Sequence, residues 1–557
     1  MLDFSQGFAP ATHLLITIAA PLVGAVAAWL LGHRGLQAVR QSAAVTTLIT
    51  LGLAGTLVLR FLGSDAAVGG GFFAPGEIAW FVTGPLDIRF SVGLDGLSIW
   101  LFGLSALLSV TAVFVSWDAV KEKAVGFYGL LLLLEAAMLG VFAARDIILF
   151  YVFFEFTLVP LFFLIGIWGH DDRRRAAVKF FLYTFAGSVL AFLGLLAIVL
   201  WHASHTGVLS FDIATLTAGL ARHPLPMTPE WGYLQLWVFI ALFVGFAIKV
   251  PIVPVHTWLP LAHVEAPTGG SVDLAGVLLK IGIYGFLRFS LPMLPEAAAI
   301  AAPWLVALGA IGIVYGALVA LVQKDLKRMV AYSSVSHMGY CVMGLFALEP
   351  VAVEGANLQL INHGLASAGL FATVGMIYER YHTRKIAELG GIASQTPWLA
   401  ACFMLFTFSA IGLPGLNGFV GEFMILAGTF QRAWSGVSPD WSFTYMTLAL
   451  LAVAGVVLGA WYMLQAVERV LFGQPRGATA GKHAEHAHDL AWYEVTALAP
   501  LALFIVWIGI YPSPFLKASA PAVTASTQAS SEAFAARVSA EPSQAMATHT
   551  TSNQHAP

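Results

Sequence analysis

Charge is scarce in this chain of 557 residues. Only 10% of them are Asp, Glu, Lys or Arg, against roughly 25% in ordinary soluble domains. That shortage excludes a secreted or cytosolic enzyme. Cysteine is scarcer still. Cys341 and Cys402 both lie in apolar runs, too few and too badly placed for a disulfide framework, an iron–sulfur site or a zinc site. The net charge of −3 leaves no basic field to draw nucleic acid. The opening MLDFSQGFAP has no positive n-region, so no cleaved signal peptide is expected. No P-loop, dinucleotide fingerprint or haem ligand pair occurs, so neither a nucleotide site nor a redox centre is expected in this chain.

Apolar residues are abundant, at 59% of the chain with a mean hydropathy of +0.82. About 20 of them in succession cross a bilayer. Fourteen segments qualify, near 13–32, 43–62, 94–116, 124–144, 147–169, 176–202, 232–250, 270–291, 299–322, 328–348, 355–378, 397–427, 444–470 and 491–511. The loops after odd-numbered segments hold 17 of the 27 basic residues, and the opposite side holds seven. By the positive-inside rule the richer side is cytoplasmic and both termini lie outside. The Gly-rich stretch 65–93 reads as an external hairpin-like loop. The amphipathic stretch 257–268 (TWLPLAHVEAPT) is expected at the membrane interface. Residues 519–557, rich in Ala, Ser, Thr, Gln and Pro, are expected to be disordered.

Against this background a few charges stand out. An ionised group at the bilayer centre costs roughly 2.5–3.5 kcal/mol on insertion scales. Glu135 (LLLLEAAML), Glu155 (YVFFEFTLVP), Lys249 (FAIKVPIVP), Lys280 (LAGVLLKIGIYG) and Glu422 (GLNGFVGEFMIL) all sit inside apolar runs. His337 (SSVSHMGY) and His363 (LINHGLAS) do too. Burial favours the neutral form of such groups and an approaching partner favours the charged form, so each can gain or lose a proton as partners move. Alternating Glu, Lys and His along the mid-membrane plane is what proton conduction needs.

Plainer readings exist for some of these and their neighbours. Glu135 could form a structural helix–helix pair. Arg288 is expected to snorkel from its helix end. Asp273 could serve the dipole at the start of the eighth segment, and His256 could be a packed core histidine. HAEHAH (483–488) has imidazoles spaced for a metal, but it sits in a polar loop without cysteine and reads as solvated. Two further stretches, FAIKVPIVP (246–254) and FSAIGLPGL (408–416), share Ala-Ile-x-x-Pro about 163 residues apart. Proline breaks the helical ladder, and paired broken helices in two halves point to an ion site in repeat-built transporters.

At these residues the sequence resembles the antiporter-like membrane subunits of respiratory complex I. The matching blocks are GLDGLSIWL (93–101), YVFFEFTLVPLFFLIGIWG (151–169), KFFLYTFAGS (179–188), the long run 247–288, QKDLKRMVAYSSVSHMGY (323–340) and GLPGLNGFVGEF (412–423). The resemblance covers roughly residues 10–515. It implies an all-α polytopic membrane protein of about fourteen helices. Helices 1–3 with their external loop (1–123) would precede two inverted five-helix repeats, 124–291 and 299–470, with helices seven and twelve broken. Helix fourteen (491–511) and the tail would follow. It also implies roles: Glu155 and Lys249 as a charge pair, Lys280 on the central axis, His337 and His363 in the connecting path, and Glu422 passing protons outward. Relatives usually place lysine at the last position, so glutamate there narrows the resemblance to one branch. No long lateral helix of the kind the distal relatives carry is expected after helix fourteen.

The implied function is a proton-translocating subunit of an NADH–quinone oxidoreductase in a bacterial inner membrane. NAD, FMN, iron–sulfur clusters and quinone would belong to partner subunits, and its neighbours would be other membrane subunits, the adjacent antiporter-like ones above all. Two rivals are an Mrp-type cation/proton antiporter subunit, disfavoured by Glu422, and a non-conducting structural spacer, which would gain by replacing its buried charges with leucine.

Overall fold

In lipid every backbone polar group must be satisfied within the segment, so spanning runs become helices. The computed structural model describes residues 9–83, 86–435, 439–480 and 487–552. A helix occupies each of the fourteen expected segments. They are α1 (Pro10–Leu30), α2 (Leu36–Leu62), α3 (Ile99–Val115), α4 (Ala124–Ala143), α5 (Ile147–Trp168), α6 (Arg173–Thr206) and α7 (Leu234–Lys249, resuming at Leu259–Glu265). Then come α8 (Thr268–Met293), α9 (Pro295–Leu321), α10 (Leu326–Phe346), α11 (Pro350–Tyr381), α12 (Pro397–Ala410, resuming at Asn417–Ser435), α13 (Pro439–Leu471) and α14 (Trp492–Ile510). Ten of the helices among the described residues are long and apolar enough to cross a membrane.

Helices α8 and α11 are buried through their apolar central stretches, whereas α1 and α2 turn Val23, Val26, Trp29 and Leu59 outward. The two central helices are also the less apolar ones, because a side chain facing protein can be polar at lower cost than one facing lipid. Close approach positions their neighbours. Helices α9 and α10 cross where a Cβ on Gly309 would come 2.8 Å from the Gly339 carbonyl oxygen, and the reverse holds for Gly339. Small residues at a crossing let backbones meet in this way.

The loop expected as a hairpin is one: β1 (Phe73–Thr83) pairs antiparallel with β2 (Leu86–Leu94). Two other expectations change. The stretch 257–268 does not lie on an interface; Trp258, Leu259, Ala262 and His263 are buried. It fills the space opened by the interruption of α7, against α6 and α10. The tail expected to be disordered from residue 519 instead forms α15 (Ser513–Ser552). Its buried positions include Phe515, Ala518, Ala522, Val523 and Phe534, spaced in threes and fours along one helical face. Composition hid that stripe, because alanine and hydroxyl residues make most of it.

Helix α15 straps one side of the molecule. Ala518 and Ala522 press on Gly96, and Pro521 on Gly70. Ser530 Oγ donates to the Leu291 carbonyl at 2.6 Å and Ser531 Oγ to the Leu348 carbonyl at 3.0 Å. The Arg432 guanidinium lies over the Phe534 ring at 5.2 Å. These partners belong to the connections α2–α3, α8–α9, α10–α11 and the end of α12, all on one side in an alternating topology.

Arg288 does not snorkel. It forms a bidentate pair with Asp95, at 2.7 Å for each bond, and both side chains are buried. This clamp ties the end of α8 to the start of α3. Asp95→Ala leaves a buried guanidinium uncompensated and is expected to cost roughly 3–5 kcal/mol. Adding Arg288→Met should recover part of the loss, because it removes the orphaned charge. Thermal unfolding of the detergent-purified single and double variants checks both statements.

Candidate functional site

Interruptions in the helices set the site. Helix α5 carries a one-residue irregularity at Thr157, whose φ of −65° and ψ of −26° stay helical. Glu155 and Thr157 sit at that irregularity, and Lys249 ends the first part of α7. The structure brings Glu155 and Lys249 near one another but does not close them into an ion pair among the described contacts. Lys249 Nζ donates instead to Thr157 Oγ1 at 3.2 Å and lies 4.8 Å from the Phe154 ring centre. The Glu155 carboxyl lies beside the hydroxyls of Ser188 and Tyr151, and its Oε1 has no hydrogen-bond partner.

Helix α8 departs from α geometry on both sides of Lys280, with π-helical turns at Leu274–Leu278 and Phe286–Ser290. Such turns are rare and frequently mark functional sites. The first frees the Ala275 carbonyl, which accepts a hydrogen bond from Lys280 Nζ. The same ammonium meets His363 Nδ1 of α11 at 2.8 Å. The His363 and His337 rings are 5.5 Å apart. His337 Nδ1 reaches Glu422 Oε1 at 2.9 Å, and Gln359 Nε2 donates to that oxygen at 3.1 Å. Lys280, His363, His337 and Glu422 therefore form a buried line across α8, α11, α10 and α12. A cavity of about 10 Å³ is lined by His337, Gln359, Asn362, His363 and Ser367, about the size of one water. The Nε2 atoms of both histidines have no protein partner.

The break in α12 holds the Glu422 end of the line. Asn417 starts its second part, accepting from Ser409 Oγ at 2.6 Å and receiving Asn362 Nδ2 on its carbonyl at 2.9 Å. Gly412 takes a positive φ of 70°, and a Cβ there would lie 3.1 Å from Glu422 Oε2.

Three expectations lie off this line. Glu135 on α4 faces Asp273 of α8, and neither carboxyl has a hydrogen-bond partner. His256 packs against Tyr315 and Tyr332. Most of HAEHAH, residues 483–486, lies outside the described residues. Sequence reasoning passed over Thr157, Gln359, Asn362, Asn417 and His263, all buried. Gln359 and Asn362 carried a usable signal, since they precede His363 by four and one residues on a central helix. His263 was misread with its segment.

These features define a polytopic membrane protein whose centre is a row of buried titratable side chains beside irregular helix segments. Residues 144–462 match the family described as NADH:quinone oxidoreductase/Mrp antiporter, TM. The chain is 43% identical over 464 residues to the NADH-quinone oxidoreductase subunit M of Rhodobacter capsulatus, covering 82% of this chain and 84% of that protein. Its counterpart in Escherichia coli K12 is 38% identical over 511 residues, covering 90% and 95%. Among solved structures, a chain of respiratory complex I from Thermus thermophilus with bound NADH superposes with a TM-score of 0.76 at 32% identity, covering 92% of this chain and 99% of that one. A chain of the Mrp complex from Dietzia gives a TM-score of 0.74 at 23% identity, covering 92% and 52%, a likeness of fold alone. The chain belongs to the NADH:quinone oxidoreductase/Mrp antiporter transmembrane family, among the relatives named subunit M.

Gly412→Ala is expected to destabilise the α12 break by roughly 1–3 kcal/mol through its positive φ, with added pressure on Glu422. Thermal melts of the purified variant against Gly415→Ala, where no atom lies within 4 Å of the added Cβ, separate backbone strain from contact with the carboxylate.

Proposed function

We propose that this chain is the proton-translocating antiporter-like subunit of a bacterial NADH–quinone oxidoreductase. The buried Lys280–His363–His337–Glu422 line carries the reading, since each member can exchange a proton and adjacent members lie within hydrogen-bonding or single-water distance. Glu155 tunes Lys249, Lys280 receives the proton on the axis, the two histidines relay it, and Glu422 releases it outward. Electron transfer takes place in partner subunits, which hold NAD, FMN, iron–sulfur clusters and quinone. Lateral neighbours are the other antiporter-like membrane subunits. The chain spans the inner membrane fourteen times with both termini outside. Each proton moved against 100 mV costs about 2.3 kcal/mol, which the redox reaction supplies.

Two inverted repeats, 124–291 and 299–470, organise the path, following helices 1–3 (1–123). Helices α5 and α10 support this division. Each opens on an Asp N-cap: Asp146 accepts from Ile148 N at 2.8 Å and Asp325 from Arg328 N at 2.9 Å. Each Asp also bridges the segment after the next helix, at Asp212 and Lys385. The two sites are five helices apart, hence on opposite sides of the membrane.

Glu422→Gln and Lys249→Ala are expected to assemble and to lose most proton transport, with coupled quinone reduction falling in step, as measured in inverted membrane vesicles. Normal pumping by assembled variants would refute these roles. Tagging the chain should bring down flavin- and iron–sulfur-bearing subunits with NADH–quinone reductase activity. Small hydrophobic partners with sodium/proton exchange and no redox activity would establish the Mrp reading instead.

A further inference from the structure

The line from Lys280 to Glu422 has an outward end but no evident cytoplasmic mouth. His263 supplies a candidate. It lies on the short helix Leu259–Glu265 and is fully buried. Neither ring nitrogen has a hydrogen-bond partner. An imidazole in that state is unusual, because buried polar atoms are nearly always satisfied.

Its surroundings run in one direction. Lys280 and Lys327 are the charged groups around it, and His363 lies within electrostatic reach. On the central side, His363, Ser367 and Phe371 follow at four-residue steps along α11, so they share a face. Ser367 Oγ reaches the Ala275 carbonyl at 3.4 Å, the carbonyl that also receives Lys280. Phe371 stacks on the His263 ring at 4.4 Å with planes 8° apart.

On the cytoplasmic side lies Lys327, near the start of α10. It is buried, and its Nζ donates to the Ala266 carbonyl at 2.6 Å. Asp325, Glu265 and Arg384 surround it. Arg384 pairs with Asp325 at 3.4 Å and donates to the Val264 carbonyl at 2.7 Å, with both charged side chains partly exposed. His170, whose backbone N–H donates to the Glu265 carbonyl at 3.0 Å, completes this rim. Burial first, then Lys327 and Arg384, push the His170 ring down to about 4, so it stays neutral at physiological pH.

We propose that His263 is the proton-intake relay of this chain, passing protons from Lys327 at the cytoplasmic rim to the Lys280–His363 pair on the axis. This rests on the reading of the chain as proton-translocating. Lys327 gives a proton to one ring nitrogen and is left neutral. The imidazolium releases that same proton through water to the neutral amine of Lys280, or to His363, and the ring returns to its starting tautomer. Lys327 regains a proton from the cytoplasm, so one proton enters for each one passed on. The stack on Phe371 holds the ring plane through both transfers.

The test uses the assembled complex in inverted vesicles, with His263→Gln, His263→Ala and, in parallel, Glu422→Gln. Assembly is read by NADH–ferricyanide reduction, which bypasses the membrane chains. The expected result is assembled His263 variants whose proton transport falls roughly tenfold or more, with added imidazole restoring a share of it in His263→Ala and none in Glu422→Gln. Normal pumping in either assembled His263 variant would overturn the relay. A loss insensitive to imidazole, or failure of both variants to assemble, makes His263 a packing residue and overturns it as well. Normal pumping in Glu422→Gln would instead overturn the translocation reading itself, so the two failures are distinguishable.

Discussion

The cost of holding charge inside a bilayer governs this structure. Most of the buried ionisable groups described either have a partner or have polar atoms arranged around them, and the facing carboxyls of Glu135 and Asp273 are exceptions. Arg288 and Asp95 illustrate the first case, with four heavy atoms in a bidentate pair. Arg380 and Glu494 do the same at the other face, at 2.8 and 2.7 Å. These pairs hold helices together and move nothing. Lys280, His363, His337 and Glu422 are arranged differently. Their contacts run from one group to the next rather than closing into a fork, and a chain of such contacts can pass a proton where a fork cannot.

Helix interruptions are the second requirement. In a regular helix the interior carbonyls are already engaged in the i→i−4 ladder, whereas an irregular turn leaves one better placed to receive a lysine. The π turn at Leu274–Leu278 exposes the Ala275 carbonyl to Lys280. The break at Gly412 opens room for Glu422, and Thr157 of α5 places a hydroxyl against Lys249. At membrane depth such irregular backbone survives only where protein or a hydrated cavity satisfies it. This explains why the irregular segments cluster beside the buried α8 and α11 rather than on the lipid-facing α1 and α2.

Much of this was legible in the residues alone. Helix positions followed from apolar run length, and the axis from charges placed where charge is costly. Breaks in α7 and α12 followed from proline. What stayed hidden has physical causes. Thr157 and Ala275 act through a hydroxyl and a carbonyl that carry no unusual sequence signal. The π turns leave hydrophobicity unchanged. Helix α15 buries small residues, whose hydrophobic contrast is too weak for composition to register. His263 sits in a stretch whose amphipathic pattern suits an interface as well as a gap between helices; only its neighbours decide. Arg288 gave no hint of Asp95, 193 residues away.

The two halves of the site are held in different conditions. In the second half, Lys280 is joined to His363 and His337 to Glu422. In the first, Lys249 is turned to Thr157 and the Glu155 carboxyl keeps an oxygen unpartnered. A lysine drawn toward a carboxylate favours its charged form, and one turned toward a neutral hydroxyl loses that support. Closing the Glu155–Lys249 gap would therefore bind a proton on Lys249, and reopening it would release one toward the axis. A device of this kind needs a pair able to exist both closed and open at small cost. The Thr157 hydroxyl meets that need, because it gives the ammonium an alternative hydrogen bond when the carboxylate is out of reach.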